Sequence, residues 1–72
     1  MRISAFRKEL ELSQGEFALK LGLKSKSHMC EIERKNRCSP RIALEIERLS
    51  DGRIPAGSIS NAVALVREAD AA

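Results

Sequence analysis

Six cations crowd one short stretch of this chain. Between residues 24 and 41 stand Lys24, Lys26, Arg34, Lys35, Arg37 and Arg41, opposed only by Glu31 and Glu33. Ammonium and guanidinium groups concentrated in this way attract a polyanion, whereas an even scatter merely keeps a protein soluble. The formal net charge of the 72 residues is a modest +3, but it is unevenly spread. Residues 1–37 hold nine basic and five acidic side chains, and the remainder holds four and five. The competing reading of such a stretch is an ordinary solvated surface, so the elements that carry it have to decide.

Other chemistry finds few groups to work with. His28 is the one histidine, there is no adjacent nucleophile–base arrangement and no Gly-rich phosphate loop, and the chain is too short for a sizeable cleft. An enzyme is therefore not expected, nor a cofactor. Carboxylates such as Glu45 and Glu47 read as the solvent face of a helix. Cys30 and Cys38 lack CxxC spacing and with a lone histidine supply no tetrahedral set, so no metal is expected. A Cys30–Cys38 disulfide is formally possible; with no signal-peptide pattern, free thiols in a reducing cytosol are the expectation. The longest apolar run, Ala62-Val63-Ala64-Leu65-Val66, is far too short to span a membrane. There is room for one domain, residues 1–72, with a small core of marginal stability, and dimerisation is a common remedy.

The elements that would position these groups read as helices throughout, because period-3.6 patterns recur and no apolar–polar alternation marks a strand. Ile3, Phe6 and Leu10 share a face of a first helix over about residues 2–11. Ser13 and Glu16 form a capping-box pair, Phe17, Ala18 and Leu21 give a second helix its buried face, and Gly22 ends it. A third helix is expected after Ser25 and up to about Lys35. At 100° per residue Ile32 and Glu33 fall within 60° of Met29, while Ser27, Glu31 and Arg34 point outward. Ser39 and Pro40 open a fourth helix with Ile42, Ala43, Ile46 and Leu49 inside. Asp51-Gly52 marks a turn, 55–57 a short connection, and Ser58 the cap of a last helix carrying Ile59, Ala62, Val63 and Val66 to about residue 69. The tail, 69–72, is expected to fray.

Residues 12–33, running Leu-Ser-Gln-Gly-Glu-Phe-Ala-Leu-Lys-Leu-Gly-Leu and then through a polar stretch to Met-Cys-Glu-Ile-Glu, resemble the helix-turn-helix of the phage Cro/CI repressor (XRE-like) family. Gln14, Ala18, Gly22, Leu23 and Ile32-Glu33 occupy the matching positions. Each has a physical reason: Ala18 is small where two helices cross, Gly22 permits the turn, and Leu23, Met29 and Ile32 seat the recognition helix so that its outer face is free. Arg7 stands where the family often has an arginine paired with the glutamate that is Glu33 here. Ser39-Pro40-Arg41 and residues 46–54 look like the corresponding parts of Cro-like and YdaS-like proteins. About fifty residues are covered. The chain departs from the pattern in two places: one extra residue lies between Gly22 and Glu33, placed in the turn near Lys24, and Arg34-Lys35-Asn36 replaces the usual asparagine-glycine.

The resemblance implies an all-α, four- to five-helix Cro/CI (lambda-repressor-like) domain with its helix-turn-helix at about 13–35. It implies a cytoplasmic repressor of a phage, prophage or similar element, bound to a palindromic double-stranded operator as a homodimer. The last helix is the expected dimer surface. Base-edge contacts fall to Lys26, Ser27 and Glu31, with His28 secondary: lysine donates to guanine O6/N7, and a carboxylate accepts from the cytosine amino group. For Glu31 and His28 the alternative is a plain surface residue. Gln14, Lys24, Arg34, Arg37 and Arg41 are the candidates for phosphate contacts, which orient without specifying. Lys35 is expected to stay in solvent, and the Arg7–Glu33 pair to be structural. The rival function is a protein-interaction module, such as an antitoxin whose main partner is a toxin.

Overall fold

The computed structural model describes residues 1–71, with side chains through residue 69. These residues form six helices and no strand: α1 (Ile3–Glu9), α2 (Gln14–Lys20), α3 (Lys26–Lys35), α4 (Pro40–Leu49), α5 (Ala56–Ile59) and α6 (Asn61–Ala71). They fall into two compact units, Met1–Asn36 and the residues from Arg37 onward.

In the first unit α2 packs against α3, and Ile3, Phe6, Phe17, Ala18, Leu21, Leu23, Met29 and Ile32 are buried. Phe6 and Phe17 meet edge to face, with ring centroids 6.1 Å apart and planes at 70°, a geometry that adds about 1 kcal/mol to what burial alone supplies. The start of α2 is fixed as its sequence expects. The Ser13 hydroxyl accepts from the Glu16 N–H at 3.1 Å, and the Glu16 carboxylate accepts from the Ser13 N–H at 2.9 Å. Two donors that a helix start leaves unpaired are thereby satisfied.

The ends of α1 and α2 share one device. Gly22 is left-handed, with φ 76°, its N–H donates to the Leu19 carbonyl, and the next N–H, of Leu23, reaches back to the Ala18 carbonyl at 2.8 Å. This pair of bonds is the Schellman closure, and glycine enters it without a Cβ clash. Glu11 closes α1 in the same way at φ 59°, with Glu11 N–H on Lys8 and Leu12 N–H on Arg7. The first helix consequently stops at Glu9, two residues short of the expectation. At the unit's far end Asn36 takes φ 53°, and its Oδ1 accepts from the Ile3 N–H at 2.9 Å.

In the second unit α5 packs on α4 and α6, and α4 meets α6. Ile42, Ala43, Ile46, Ile54, Ala56, Ile59 and Val63 are its buried apolar residues. Several expectations are corrected here. The bound of four to five helices is exceeded, because residues 56–59 form a helical turn of their own instead of a connection. Ser58 lies within that turn, and α6 starts at Asn61. Its cap is Ser60, whose hydroxyl accepts from the Val63 N–H at 3.4 Å. The last helix also turns differently from the expected stripe: Val63 is buried, whereas Ala62 and Val66 are exposed. Leu49 is only half-buried, and Ser39 precedes α4 without a side-chain capping bond. The backbone is helical to Ala71, and Ala72 lies outside the described residues. Among the described residues, no helix is long and apolar enough to cross a membrane.

Candidate nucleic-acid interface

Two contacts hold α3 from the inside. Met29 and Ile32 sink into the core, and Glu33, the third inward residue, carries its carboxylate with it to 7% side-chain exposure. Arg7 from α1, itself only 14% exposed, meets that carboxylate with Nε at 2.7 Å and Nη2 at 3.2 Å. Its remaining Nη1 donates to the Leu12 carbonyl at 2.8 Å, in the connection between α1 and α2. One guanidinium thus ties the first helix, the segment after it and the third helix together. Fork-to-fork geometry of this kind fixes orientation as well as distance. Arg2 adds a longer bond, 3.5 Å, from Nη2 to the Glu33 carbonyl.

With its inner face committed, α3 presents the rest outward. Its first turn starts at Lys26 behind the cap Ser25, whose hydroxyl accepts from the His28 N–H at 3.2 Å. Lys24, Lys26, Ser27 and His28 are all exposed. Among the described residues, none of these four side chains has a hydrogen-bond or ion-pair partner. The turn from Gly22 to Ser25 delivers Met29 and Ile32 to the core, which is the helical phase the sequence requires of them.

Other residues singled out from the sequence have internal partners. Glu31 is bound on its own helix by Arg34 at 2.6 Å and by Lys35 at 2.9 Å. These two cations, Lys35 first, hold its carboxyl below the usual value. Lys35 stays in solvent, as expected, while pairing with Glu31. Gln14 does not stand clear of the protein. Its Nε2 donates to Glu33 at 3.4 Å, and its Oε1 accepts from the Cys30 thiol at 3.0 Å. The chain Arg7–Glu33–Gln14–Cys30 runs from the interior to the exposed side of α3, and composition gave no sign of its last two members.

Comparison with protein-family models, curated proteins and solved structures finds no match. The residues themselves have to carry the functional reading.

In the second unit Arg37 is exposed and donates from Nη1 to the Ser58 carbonyl at 2.8 Å, near the Cys38 N–H, which donates to the Ile59 carbonyl at 2.9 Å. Together they satisfy carbonyls at the end of α5. Arg41 is exposed, without a side-chain partner among the described residues. Both cysteines are free thiols; Cys30 is exposed, and burial pushes Cys38 up to about 11. No group of three or more His, Cys, Asp or Glu that could hold a metal ion occurs among the described residues.

Glu47 was read from sequence as solvent-facing and is instead a junction. Arg67 of α6 grips its carboxylate at 2.6 and 2.9 Å, and the Ala56 N–H at the start of α5 donates to it at 2.9 Å. Arg67 above all, then the Ala56 amide, lowers the Glu47 carboxyl to about 2. Spacing along the sequence could not announce this pair, because its members stand twenty residues apart on different helices.

Proposed function

We propose that this chain is a helix-turn-helix DNA-binding protein of the Cro/CI type, acting as a dimeric transcriptional repressor that occludes a promoter. The observation that carries the reading is the first turn of α3 together with the connection leading into it. Lys24, Lys26, Ser27 and His28 stand exposed and without internal partners there, on a helix whose opposite side is pinned by Met29, Ile32 and the Arg7–Glu33 pair. Base edges are read by donors that are rigidly mounted and not already spent. The charge distribution supports it: residues 1–36 hold eight basic and five acidic side chains, a surplus suited to a polyanion.

Within this reading Lys26 and Ser27 are the base-contacting residues, with His28 beside them. Lys24, Arg34, Arg37 and Arg41 contact phosphates. Gln14 belongs with the phosphate group by position, but its amide also braces Glu33. Glu31 reads a base only by exchanging its bonds to Arg34 and Lys35, so its contribution is the smaller one.

Selection of bound sequences from a random duplex pool tests the proposal. Two inverted half-sites about ten base pairs apart, centre to centre, are expected. Lys26→Ala should relax preference at one base pair in each half-site, at a cost of about 1–3 kcal/mol per site. Glu31→Gln should alter preference less than Lys26→Ala does. Absence of any enriched motif would overturn the reading. If a protein then co-purified with this chain at fixed stoichiometry, an interaction module of the antitoxin kind would replace it.

A further inference from the structure

Gln14 is held at both ends of its carboxamide. Its Nε2 donates to the Glu33 carboxylate at 3.4 Å, and its Oε1 accepts from the Cys30 thiol at 3.0 Å. These two partners enforce one orientation. Turned over, the amide would set its carbonyl oxygen against a carboxylate, which has no hydrogen to offer, and its NH2 against sulfur, a weak acceptor. Glu33 cannot swing aside to relieve that conflict, because Arg7 grips both of its oxygens. Gln14 is only half-buried, and the second N–H of its Nε2 has no partner among the described residues. Cys30 is exposed and follows Lys26 by one turn, about 40° around the helix. Its thiol therefore holds Gln14 at the flank of the face that would meet base edges.

We propose that Cys30 is a positioning residue: its thiol fixes the Gln14 amide so that the unspent N–H stands ready as a neutral donor to a DNA phosphate. This rests on the DNA-binding reading and adds to it which side chain orders that contact. A glutamine free in solvent gives up rotamer freedom when it binds, and an amide already pinned at oxygen and nitrogen has less to lose. The thiol suits the place, since it supplies one hydrogen without bringing a charge that would pull or repel phosphates itself. A neutral donor also leaves a signature that a cation does not. Affinity falls with salt because lysines and arginines displace condensed counterions, whereas an amide contact orients the protein and displaces none. Loss of the Gln14 contact should therefore weaken binding to all sequences alike and leave the salt slope as it was.

Titration of the full chain into labelled duplexes of selected and of scrambled sequence, at several salt concentrations, tests it. Cys30→Ala should raise the dissociation constant about threefold to tenfold, the worth of one hydrogen bond, on both duplexes and at unchanged slope. Gln14→Ala should do at least as much, and the double variant no more than Gln14→Ala alone, because Cys30 acts through Gln14. Cys30→Ser keeps a donor and should stay within about twofold of the wild type. Alanine at an exposed helical position favours the helix, and circular-dichroism melts run alongside separate loss of the contact from loss of the fold. A folded Cys30→Ala variant that binds as the wild type does would overturn the proposal. So would a Cys30→Ser variant as weak as Cys30→Ala, or a slope that shallows with the loss. A wild-type chain that binds neither duplex would instead overturn the DNA-binding reading, and this proposal with it.

Discussion

Arg7 shows how much a single side chain can decide in a unit this small. Its guanidinium has two donors on Glu33 and one on Leu12, and both charges are largely out of water. An isolated pair of this kind is worth little over an apolar replacement, yet removing one member leaves the other buried with its desolvation penalty unrelieved. Arg7→Ala should therefore destabilise the fold by about 3 kcal/mol, well beyond a typical surface change. Part of the loss comes from the Leu12 carbonyl, so Glu33→Gln should cost less. Chemical denaturation of the two single variants and the double variant measures the coupling, and strictly additive losses would mean that the pair does not act as one unit. Because Glu33 lies one turn from Met29 and next to Ile32, the damage should extend to the mounting of the α3 outer face.

Helices meet at Glu47, and there the consequence is a pH dependence. The folded carboxyl is held at about 2 against an ordinary value of 4.5. In the unfolded chain it gains its proton near the ordinary value; in the folded chain it does so only near 2. Between those values the unfolded state binds more protons, so folding weakens as pH falls, and above them the contribution is fully present. Melting temperatures recorded from about pH 5 down to pH 2 should fall, and Glu47→Gln should flatten part of that limb. Glu16 and Glu31, also held low, act in the same direction, and an unaltered limb in the variant would remove Glu47 from this role. This bridge marks the boundary of what the sequence discloses. Local signals were legible: the Ser13–Glu16 capping box, Gly22 in its left-handed turn, the inward phase of Met29, Ile32 and Glu33. Each is written within four residues, and the backbone obeys near neighbours first. The end of α1 was misjudged because its left-handed residue is Glu11, a residue that commonly extends helices. Asn36 and Glu47 act on partners brought near by folding, and α5 is a single turn with no period to detect. The outer face of α3 follows from the helical phase, whereas which of its side chains are already engaged, as Glu31 and Gln14 are, does not.

At the scale of the whole molecule the proposed DNA binding has a dependence on salt. Every phosphate neutralised by a lysine or arginine releases condensed counterion, so the logarithm of affinity falls linearly with the logarithm of salt, with a slope of about −0.9 per phosphate. Four cationic candidates, Lys24, Arg34, Arg37 and Arg41, give a slope of about −4 per protomer. They are not equivalent. Arg34 is bonded to Glu31 and Arg37 to the Ser58 carbonyl, so some of their attraction for phosphate is spent on giving up or sharing those contacts. Lys24 and Arg41 have no such competitor among the described residues. Lys24→Ala and Arg41→Ala should thus each shallow the slope by about one unit and weaken binding to all sequences alike. Arg34→Ala should shallow it less, because part of the Arg34 charge is already taken up by Glu31. Arg48, exposed but held by Glu45 on its own helix, is the matched control, and Arg48→Ala should leave the slope where it was. Titrations of a labelled duplex at several salt concentrations, with selected and with scrambled sequence, separate these outcomes. A changed base preference in the Arg41 variant, or an unchanged slope in both Lys24 and Arg41 variants, would mean that the polyanion is held elsewhere on the molecule.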